Sequence, residues 1–298
     1  MTSLRDFLTG IIDYAGLFPP AKLDMSAAVH AYAKHYSGDD ADLLGRFVLP
    51  AARLDEFSAV ASALLPKTGE PWMLSVLGGE DLTHTQSAVD HFNRAHDAGS
   101  AAAHALCDTI EIPVNSHKDI HDAVGIFGES VSLFLEVSPH ADPTYLISEI
   151  ADTPASAKLR TGGVVESAIP SPDQVLRFIE LCVDRGVPFK ATAGLHHAIR
   201  GRYPLTYERG APSAMMFGYL NIFFAAAFCA AGSSPSAVLG ALEETDASRF
   251  RCDDVGVWWD DHVVVHEQLP VVRQAVATSF GSCSFIEPVE EARKLHLI

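Results

Sequence analysis

Short apolar runs recur along the chain and alternate with stretches of helical periodicity. The runs are rich in Val, Ile, Leu and Phe without strict alternation, which is typical of parallel strands covered on both faces. We predict eight strands, at residues 11–17, 46–50, 73–77, 105–113, 131–137, 157–161, 188–194 and 276–282. Amphipathic helices are predicted between them, for example at 54–65, 85–98 and 173–185, the last beginning after Ser171-Pro172.

Eight strands that alternate with helices predict an α/β protein, a (β/α)₈ or TIM barrel, as one domain over residues 1–298. One connection is unusually long. About 80 residues, 196–275, separate the seventh and eighth strands, against the handful that is typical of such loops. We interpret this segment as an insertion on the C-terminal face, where barrel enzymes bind substrate, and expect a lid or an oligomer contact.

The apolar stretch 214–232 carries no charge and approaches the length of a membrane span. It contains Tyr219 and Asn221 and has no basic flank to orient it in a bilayer. A helix buried in the core or in a subunit contact is therefore expected.

Lys158 and Lys190 each end a strand-like run. If these runs are adjacent parallel strands, their backbones lie about 4.8 Å apart and both lysines can enter one pocket. Buried lysines are costly, so ordinary packing is a poor explanation, although salt bridges at strand ends remain an alternative. A neighbouring cation or a dry wall lowers a lysine pKa, and a neutral amine can attack a carbonyl to form a Schiff base.

Composition limits the partners. The chain has 298 residues, 48% of them hydrophobic, and a net charge of −17, which argues against nucleic acid or an anionic membrane as partner. The five cysteines are irregularly spaced and the first ten residues lack an apolar core segment, so a cytoplasmic protein without structural zinc or disulfides is expected. A homo-oligomer is left open.

Six motifs in order resemble those of the deoxyribose-phosphate aldolase family, whose members are Schiff-base barrels. They are Ile-Asp-Tyr (12–14), Asp-Thr-Ile-Glu-Ile-Pro-Val-Asn (108–115), Leu-Phe-Leu-Glu-Val-Ser (133–138), Lys-Leu-Arg-Thr-Gly (158–162), Lys-Ala-Thr-Ala-Gly-Leu (190–195) and Phe-Gly-Ser-Cys-Ser (280–284). The resemblance implies that Lys158 forms the Schiff base, that Lys190 perturbs it, and that Glu111 is the catalytic acidic residue. It also implies a phosphate loop at Gly281, Ser282 and Ser284.

The residues themselves suggest roles for the rest of the site. Strand alternation places Lys158 and Arg160 on one face, and Glu111 or Asp13 can move protons for the lysine. Glu136 is a candidate for substrate contact but is more simply explained as an ion-pair partner of a lysine, and Asp13 is a proton carrier or a salt-bridge partner. The remaining candidates for substrate contact are Thr161, Gly162, Gly163, Gly194 and His196, with the glycines also explicable as turn residues.

The chain departs from the family pattern in ways that bear on the substrate. Ala193 stands where a glycine normally lets the backbone approach a phosphate, His196 stands where an arginine is common, and Arg160 is an added cation. We therefore predict a small carbonyl substrate that bears a carboxylate or hydroxyl in place of phosphate, although Arg200 or Arg202 offers another route to a phosphate.

Two other functions remain open. A metal-assisted hydrolase or isomerase would use His196, His197, Glu111 and Glu136, but adjacent histidines on an extended backbone point in opposite directions. The other alternative is a barrel without catalysis that binds a metabolite. Our preferred hypothesis is a class I aldolase-like lyase that needs no metal or organic cofactor, with Cys283 as an inert thiol.

Overall fold

Eight parallel strands close into a barrel in the computed structural model, which describes residues 4–96, 104–128 and 130–298. The strands of the chain are β1 (Ile12–Tyr14), β2 (Leu44–Pro50), β3 (Trp72–Leu77), β4 (Ala105–Pro113), β5 (Ser132–Val137), β6 (Ser156–Arg160), β7 (Phe189–Thr192), β8 (Gly201–Pro204), β9 (Ser213–Met216), β10 (Phe250–Cys252), β11 (Gly256–Trp259), β12 (His262–Val265) and β13 (Ala277–Ser282). The barrel consists of β1 to β7 and β13, and β1 closes it by pairing with both β2 and β13. This is the strand arrangement of a TIM barrel.

Helices surround this barrel. They are α1 (Leu4–Leu8), α2 (Met25–Tyr36), α3 (Leu54–Ala61), α4 (Leu82–Ala95), α5 (His117–Phe127), α6 (Thr144–Ala151), α7 (Pro172–Arg185), α8 (Tyr219–Ala230), α9 (Pro235–Glu243), α10 (Leu269–Ala275) and α11 (Ile286–Lys294). Each of the helices α2 to α7 buries one apolar side in a continuous core against the strands. The strands are thus covered from outside, which is why their sequences lack polar alternation.

All eight predicted strands coincide with barrel strands, and the predicted mixed α/β barrel is confirmed. Several boundaries were wrong. The first strand ends at Tyr14 where the pattern predicted residue 17, and helix α3 ends at Ala61 where it predicted residue 65. Helix α4 begins three residues earlier than predicted because Asp81 caps it, accepting a hydrogen bond from the backbone N–H of His84. The last predicted residues of that helix, 97 and 98, lie outside the described residues.

Between β7 and β13 the chain forms a two-stranded hairpin (β8 and β9), the helices α8 and α9, a three-stranded antiparallel sheet (β10 to β12) and α10. Helix α8 packs against α7, α9 and the barrel strand β13. The segment 196–275 therefore both contacts the barrel wall and adds small sheets of its own.

The apolar stretch 214–232 is a buried helix over only part of its length, because residues 213–216 form β9. Gly218 separates the two elements. A Cβ at Gly218 would lie 2.4 Å from the backbone of Ala198 and Ile199, so only glycine permits this close approach. In α8 the buried amide of Asn221 accepts from the N–H of Arg200 and donates to the carbonyls of Ala241 and Glu244. Among the described residues, no helix is long and apolar enough to cross a membrane.

Candidate active site

The two lysines lie side by side inside the barrel. Strands β6 and β7 pair in a register that sets Lys158 opposite Lys190, and β5 sets Glu136 opposite Lys158. Side-chain exposure is 5% for Lys158 and 1% for Lys190. Burial of two ammonium groups this deeply requires carboxylate partners close by.

Glu111, at the C-terminal half of β4, supplies the central carboxylate. One of its oxygens, Oε2, lies 2.7 Å from Lys158 Nζ, and the other, Oε1, lies 2.6 Å from Lys190 Nζ. Ser75 of β3 donates a further hydrogen bond to Oε1 at 2.5 Å. A single buried carboxylate therefore bridges both lysines, so Lys158 contacts an anion in addition to having the neighbouring cation that the sequence predicted.

Asp13 is the second carboxylate partner of Lys190. Its Oδ2 lies 2.6 Å from Lys190 Nζ and accepts a hydrogen bond from Ser279 at 2.8 Å, while its Oδ1 accepts from the backbone N–H of Arg46. The ring of Phe134 lies beside the same ammonium, with 5.4 Å between Nζ and the ring centroid. Asp13 is fully buried and forms a salt bridge with Lys190, which was one of the two roles expected for it.

Glu136 pairs with a lysine, as expected, and also reaches Arg160. Its Oε2 lies 2.6 Å from Lys158 Nζ, and its Oε1 accepts from Arg160 Nε at 3.1 Å. The Arg160 side chain is 47% exposed. Glu136 thus links the buried lysine to a cation that faces solvent.

Each charged group in this network shifts the pKa of its neighbours. Burial alone would raise the pKa of Glu111, but Lys158 and Lys190 hold that pKa well below its usual range. Burial likewise opposes the ionisation of Glu136, and Lys158 and Arg160 lower its pKa. For Lys190 burial acts to lower the pKa, and the attraction of Asp13 and Glu111 raises it above the ordinary value. Both glutamates are therefore carboxylates and Lys190 is a cation at neutral pH.

A cavity of about 220 Å³ opens at the C-terminal mouth of the barrel. Of the predicted site residues, it is lined by Glu111, Lys158, Arg160, Gly163, Gly194, His196 and Gly281. Phe18, Pro19, Pro20, Leu77, Leu205 and Met216 form much of the apolar wall. Within the described part of the chain, neither Asp13 nor Lys190 is part of this lining, so Lys158 meets the cavity and Lys190 does not.

The glycine-rich ends of β6 and β7 shape one side of the cavity by packing on each other. The Thr161 hydroxyl donates to the carbonyl of Ala193 at 2.7 Å. A Cβ on Gly162 would lie 3.1 Å from the Cα of Gly194, so Gly162 serves close packing of the two loops. Ala193 and Gly194 both have left-handed backbones, with φ of 65° and 76°, and alanine at such an angle is strained.

His196 lies in the cavity wall as a neutral ring. Burial lowers its pKa to about 4, with His197 adding to the effect, so His196 is not the cation that would replace an arginine. Its Nδ1 lies 3.3 Å from the Ser282 hydroxyl and 3.6 Å from Cys283 Sγ. The sequence did not suggest this partner for Cys283, yet burial raises the thiol pKa to about 11, so the sulfur stays protonated.

His197 contacts a different set of residues from His196. Its Nδ1 lies 2.7 Å from Glu291 Oε1, and its ring stacks on Tyr203 with 3.4 Å between centroids. His196 and His197 therefore do not share one ligand site with Glu111 and Glu136, whose oxygens contact the lysines. This geometry gives no support to the metal-assisted hydrolase.

The predicted phosphate loop is only partly exposed to the cavity. Gly281 lines it, whereas the Ser284 hydroxyl accepts from the N–H of Glu287 at the start of α11. Arg200 contacts the carbonyl of Glu243 and Arg202 that of Ser213, and the cavity lining includes neither side chain in the described residues. The arginine at the cavity is Arg160.

Sequence reasoning missed several members of the site. Ser75 and Ser279 carry hydrogen bonds to Glu111 and Asp13 from the middle of apolar strands, and a polar residue inside a buried strand was the available signal. The apolar wall formed by Phe18, Leu205 and Met216 comes from loops and the β8–β9 hairpin, for which the sequence has no comparable signal.

In comparisons with known proteins, no protein-family model, no curated protein and no solved structure matches this chain. The resemblance to deoxyribose-phosphate aldolases accordingly rests on the residues and their order alone.

Proposed function

We propose that the chain is a Schiff-base lyase of the class I aldolase type, in which Lys158 forms a covalent adduct with a small carbonyl substrate. The observation that carries this proposal is the position of Lys158, which lines the cavity while two carboxylates contact its Nζ at 2.7 and 2.6 Å. A buried amine with adjacent proton acceptors at the C-terminal mouth of a barrel suits imine chemistry.

The proposed reaction begins with proton transfer from Lys158 to a neighbouring carboxylate. The low pKa of Glu111 opposes this transfer, and the addition that follows draws it forward. The amine then adds to the substrate carbonyl carbon, and the carbinolamine loses its oxygen as water to leave an iminium ion. A base takes the proton of the β-hydroxyl, and the carbon–carbon bond breaks to release the first product as a carbonyl compound. The electron pair of that bond becomes the C=C bond of an enamine while the C=N π pair moves to the nitrogen. Protonation of the enamine and hydrolysis of the resulting imine release the second product and restore the amine.

Glu111 is the preferred proton carrier because it touches both Lys158 and the cavity. Lys190 and Asp13 are positioning residues in this proposal. Lys190, kept positive by Asp13 and Glu111, holds the Glu111 carboxylate in place beside the reacting nitrogen.

The cavity favours a small unphosphorylated substrate, such as a hydroxy keto acid. Its volume of about 220 Å³ is below the roughly 300–1,000 Å³ of pockets that take drug-sized ligands. Arg160 lines the cavity and uses Nε for Glu136, so its two terminal nitrogens are proposed as the fork that binds a carboxylate. The methyl group of Ala193 stands where a glycine would let a phosphate approach the backbone closely.

The 196–275 segment is proposed to act as an insertion that covers the active site. His196, Leu205 and Met216 all belong to it and all line the cavity, with Met216 at the end of the β8–β9 hairpin. This part of the segment supports the lid interpretation. For the β10–β12 sheet of the same segment, an oligomer contact remains the alternative to a lid.

Borohydride trapping tests the proposal. The purified protein is incubated with a panel of small aldehydes and keto acids, with and without phosphate, then reduced and mapped by peptide mass spectrometry. We expect a reduced adduct on Lys158, formed best by unphosphorylated compounds, and neither adduct nor turnover in Lys158→Ala or Lys158→Arg. The exposed Lys34→Ala variant is the matched control and should behave as wild type.

Two outcomes would contradict the proposal. One is an adduct in the Lys158→Ala protein that maps to Lys190. The other is turnover of a carbonyl compound by wild type without any adduct that borohydride can trap. Preference for a phosphorylated compound would leave the Schiff base standing and refute the substrate assignment.

A further inference from the structure

A second cluster of potential ligands lies on the outer surface of the barrel, away from the lysines. His117 is the first residue of α5, His121 follows one turn later, and Glu149 lies on the neighbouring helix α6. None of the three lines the cavity at the barrel mouth. Residues four apart on a helix share one face, so both imidazoles point toward α6 together.

The geometry of the cluster is that of converging ligands. His117 Nδ1 contacts Glu149 Oε2, and His121 Nε2 lies 4.0 Å from the same oxygen. The two imidazole centroids are 4.0 Å apart, and the three ligand atoms lie within 4.8 Å of one another. Tetrahedral ligands bound at 2.0–2.1 Å are about 3.4 Å apart, so small side-chain rotations would bring all three onto one ion.

We propose that His117, His121 and Glu149 form a binding site for a divalent transition-metal ion of the Zn²⁺ type. Two imidazoles and one carboxylate are a known donor set for zinc, with water completing the coordination. Imidazole nitrogen selects Zn²⁺, Ni²⁺ or Cu²⁺ over the hard ions Mg²⁺ and Ca²⁺. The bound ion ties the start of α5 to α6.

The surroundings favour a cation over a simple ion pair. An open groove beside His121 is lined by Glu80, Asp81, Asp119 and Asp122, and such a concentration of acid raises the local cation concentration. The two histidine side chains are 52% and 57% exposed. A hydrogen bond between groups this exposed stabilises the fold little, but the ring nitrogens remain open to an ion from solvent.

The test is a metal titration of the full chain without a polyhistidine tag. After chelator treatment and dialysis, ZnCl₂ is titrated by calorimetry into wild type and into His117→Ala, His121→Ala and Glu149→Gln, with MgCl₂ as the hard-ion comparison. The chain has 14 histidines, so His91→Ala, an exposed position on α4, is the matched control. Melting temperature is measured with and without Zn²⁺ in each protein.

We expect one Zn²⁺ per wild-type chain, a melting temperature that rises with Zn²⁺, and no response to Mg²⁺. Loss of an outer-shell partner alone typically weakens metal binding by about 10–100-fold, so loss of a direct ligand should weaken it by at least about tenfold. His91→Ala should bind as wild type.

Absence of a one-equivalent Zn²⁺ site in wild type would overturn the proposal. Unchanged affinity in the His117→Ala/His121→Ala double variant would overturn it equally, because the ion would then bind elsewhere. All four substitutions are at exposed or partly exposed positions, and circular dichroism verifies that each variant is folded.

Discussion

At the scale of single residues, the site depends most on Glu111. Its two oxygens satisfy two different buried ammonium groups, so its removal leaves both Lys158 and Lys190 without their shared counter-ion. Asp13 and Glu136 each contact one of these lysines. The consequences of losing Glu111 should therefore exceed those of losing either neighbour.

We predict that Glu111→Gln destabilises the fold by about 3–5 kcal/mol, the usual cost of removing one partner of a buried ion pair. The glutamine oxygen can accept from one lysine, but its NH₂ group then faces the other ammonium, donor against donor. Urea unfolding at pH 7 measures the change. Glu136→Gln is the matched control and should cost less, because Glu136 is partly exposed and one of its partners, Arg160, reaches solvent.

The stability difference between wild type and Glu111→Gln is also predicted to depend on pH. The pKa of Glu111 is lower in the fold than its unfolded value of about 4.3, so its stabilisation is fully present above that value and is lost as the pH falls toward the folded pKa. The stability difference between wild type and Glu111→Gln should be constant from pH 6 to 8 and shrink below about pH 4. A difference as large at pH 3 as at pH 7 would show that the lost interaction is not ionic.

What the sequence revealed at this scale depended on the cost of burial. Lys158 and Lys190 were found because a lysine in an apolar run is expensive, and adjacent parallel strands then bring the two together. Their partners were harder to assign. Glu111 was identified as a proton carrier, but nothing in the chain pattern indicated that it bridges both lysines. That contact depends on how the closed barrel brings the Glu111 side chain of β4 to those of β6 and β7, which are not its neighbouring strands.

At the scale of elements, helix α7 shows how local signals fix a boundary. Ser171 accepts a hydrogen bond from the N–H of Gln174 at 3.2 Å, and the Gln174 side chain accepts from the N–H of Ser171 at 2.8 Å. Pro172 follows at the first helical position and Gly186 ends the helix in a left-handed conformation. The sequence predicted this start because all of the interacting groups lie within four residues.

We predict that Ser171→Ala lowers the free energy of unfolding by about 1 kcal/mol, because the first turn of α7 loses its side-chain acceptor. Ser171→Asp is the matched control, since aspartate caps as well as serine, and it should restore most of the loss. Chemical unfolding of the three proteins measures the effect. If Asp and Ala variants are equally destabilised, the cap is not the source of the stability.

Elements whose limits depend on tertiary contacts were predicted less well. The stretch 214–232 was assigned to one helix because it is uniformly apolar, yet its first residues pair with β8 as part of a hairpin. The separation at Gly218 follows from the backbone of residues 198–199 passing close by. Hydrophobicity predicted the burial of this stretch. The contact that divides it involves residues 198–199, which lie outside the stretch, so the pattern within it could not reveal the division.

At the scale of the whole molecule, strand order was predictable because alternating strands and helices close in few ways, and right-handed parallel connections leave the barrel as the simplest of them. The β8–β9 hairpin and the β10–β12 sheet were not predicted, because short strands in a long connection resemble irregular loops. The part of the cavity wall that residues 196–275 form could not be predicted from the sequence for the same reason.

Charge is the remaining property of the whole chain. In the site, three carboxylates (Asp13, Glu111 and Glu136) face three cations (Lys158, Lys190 and Arg160), so this network is neutral and the net charge of −17 arises outside it. Surface pairs such as Arg293–Asp40 add little stability, because exposed ion pairs are weak. Repulsion among the excess acids therefore opposes folding at neutral pH.

We accordingly predict that salt stabilises the protein at pH 7. Raising NaCl from 0.01 to 0.15 M shortens the Debye length from about 30 to about 8 Å, which screens repulsion between distant acids more than contacts within an ion pair. We expect the melting temperature to rise by roughly 2–4 °C, equivalent to about 1 kcal/mol. The control is the same titration near the isoelectric point of about 5.1, where the repulsion is absent and salt should leave the melting temperature unchanged or lower it. A fall with salt at both pH values would mean that surface ion pairs outweigh the repulsion of the excess acids.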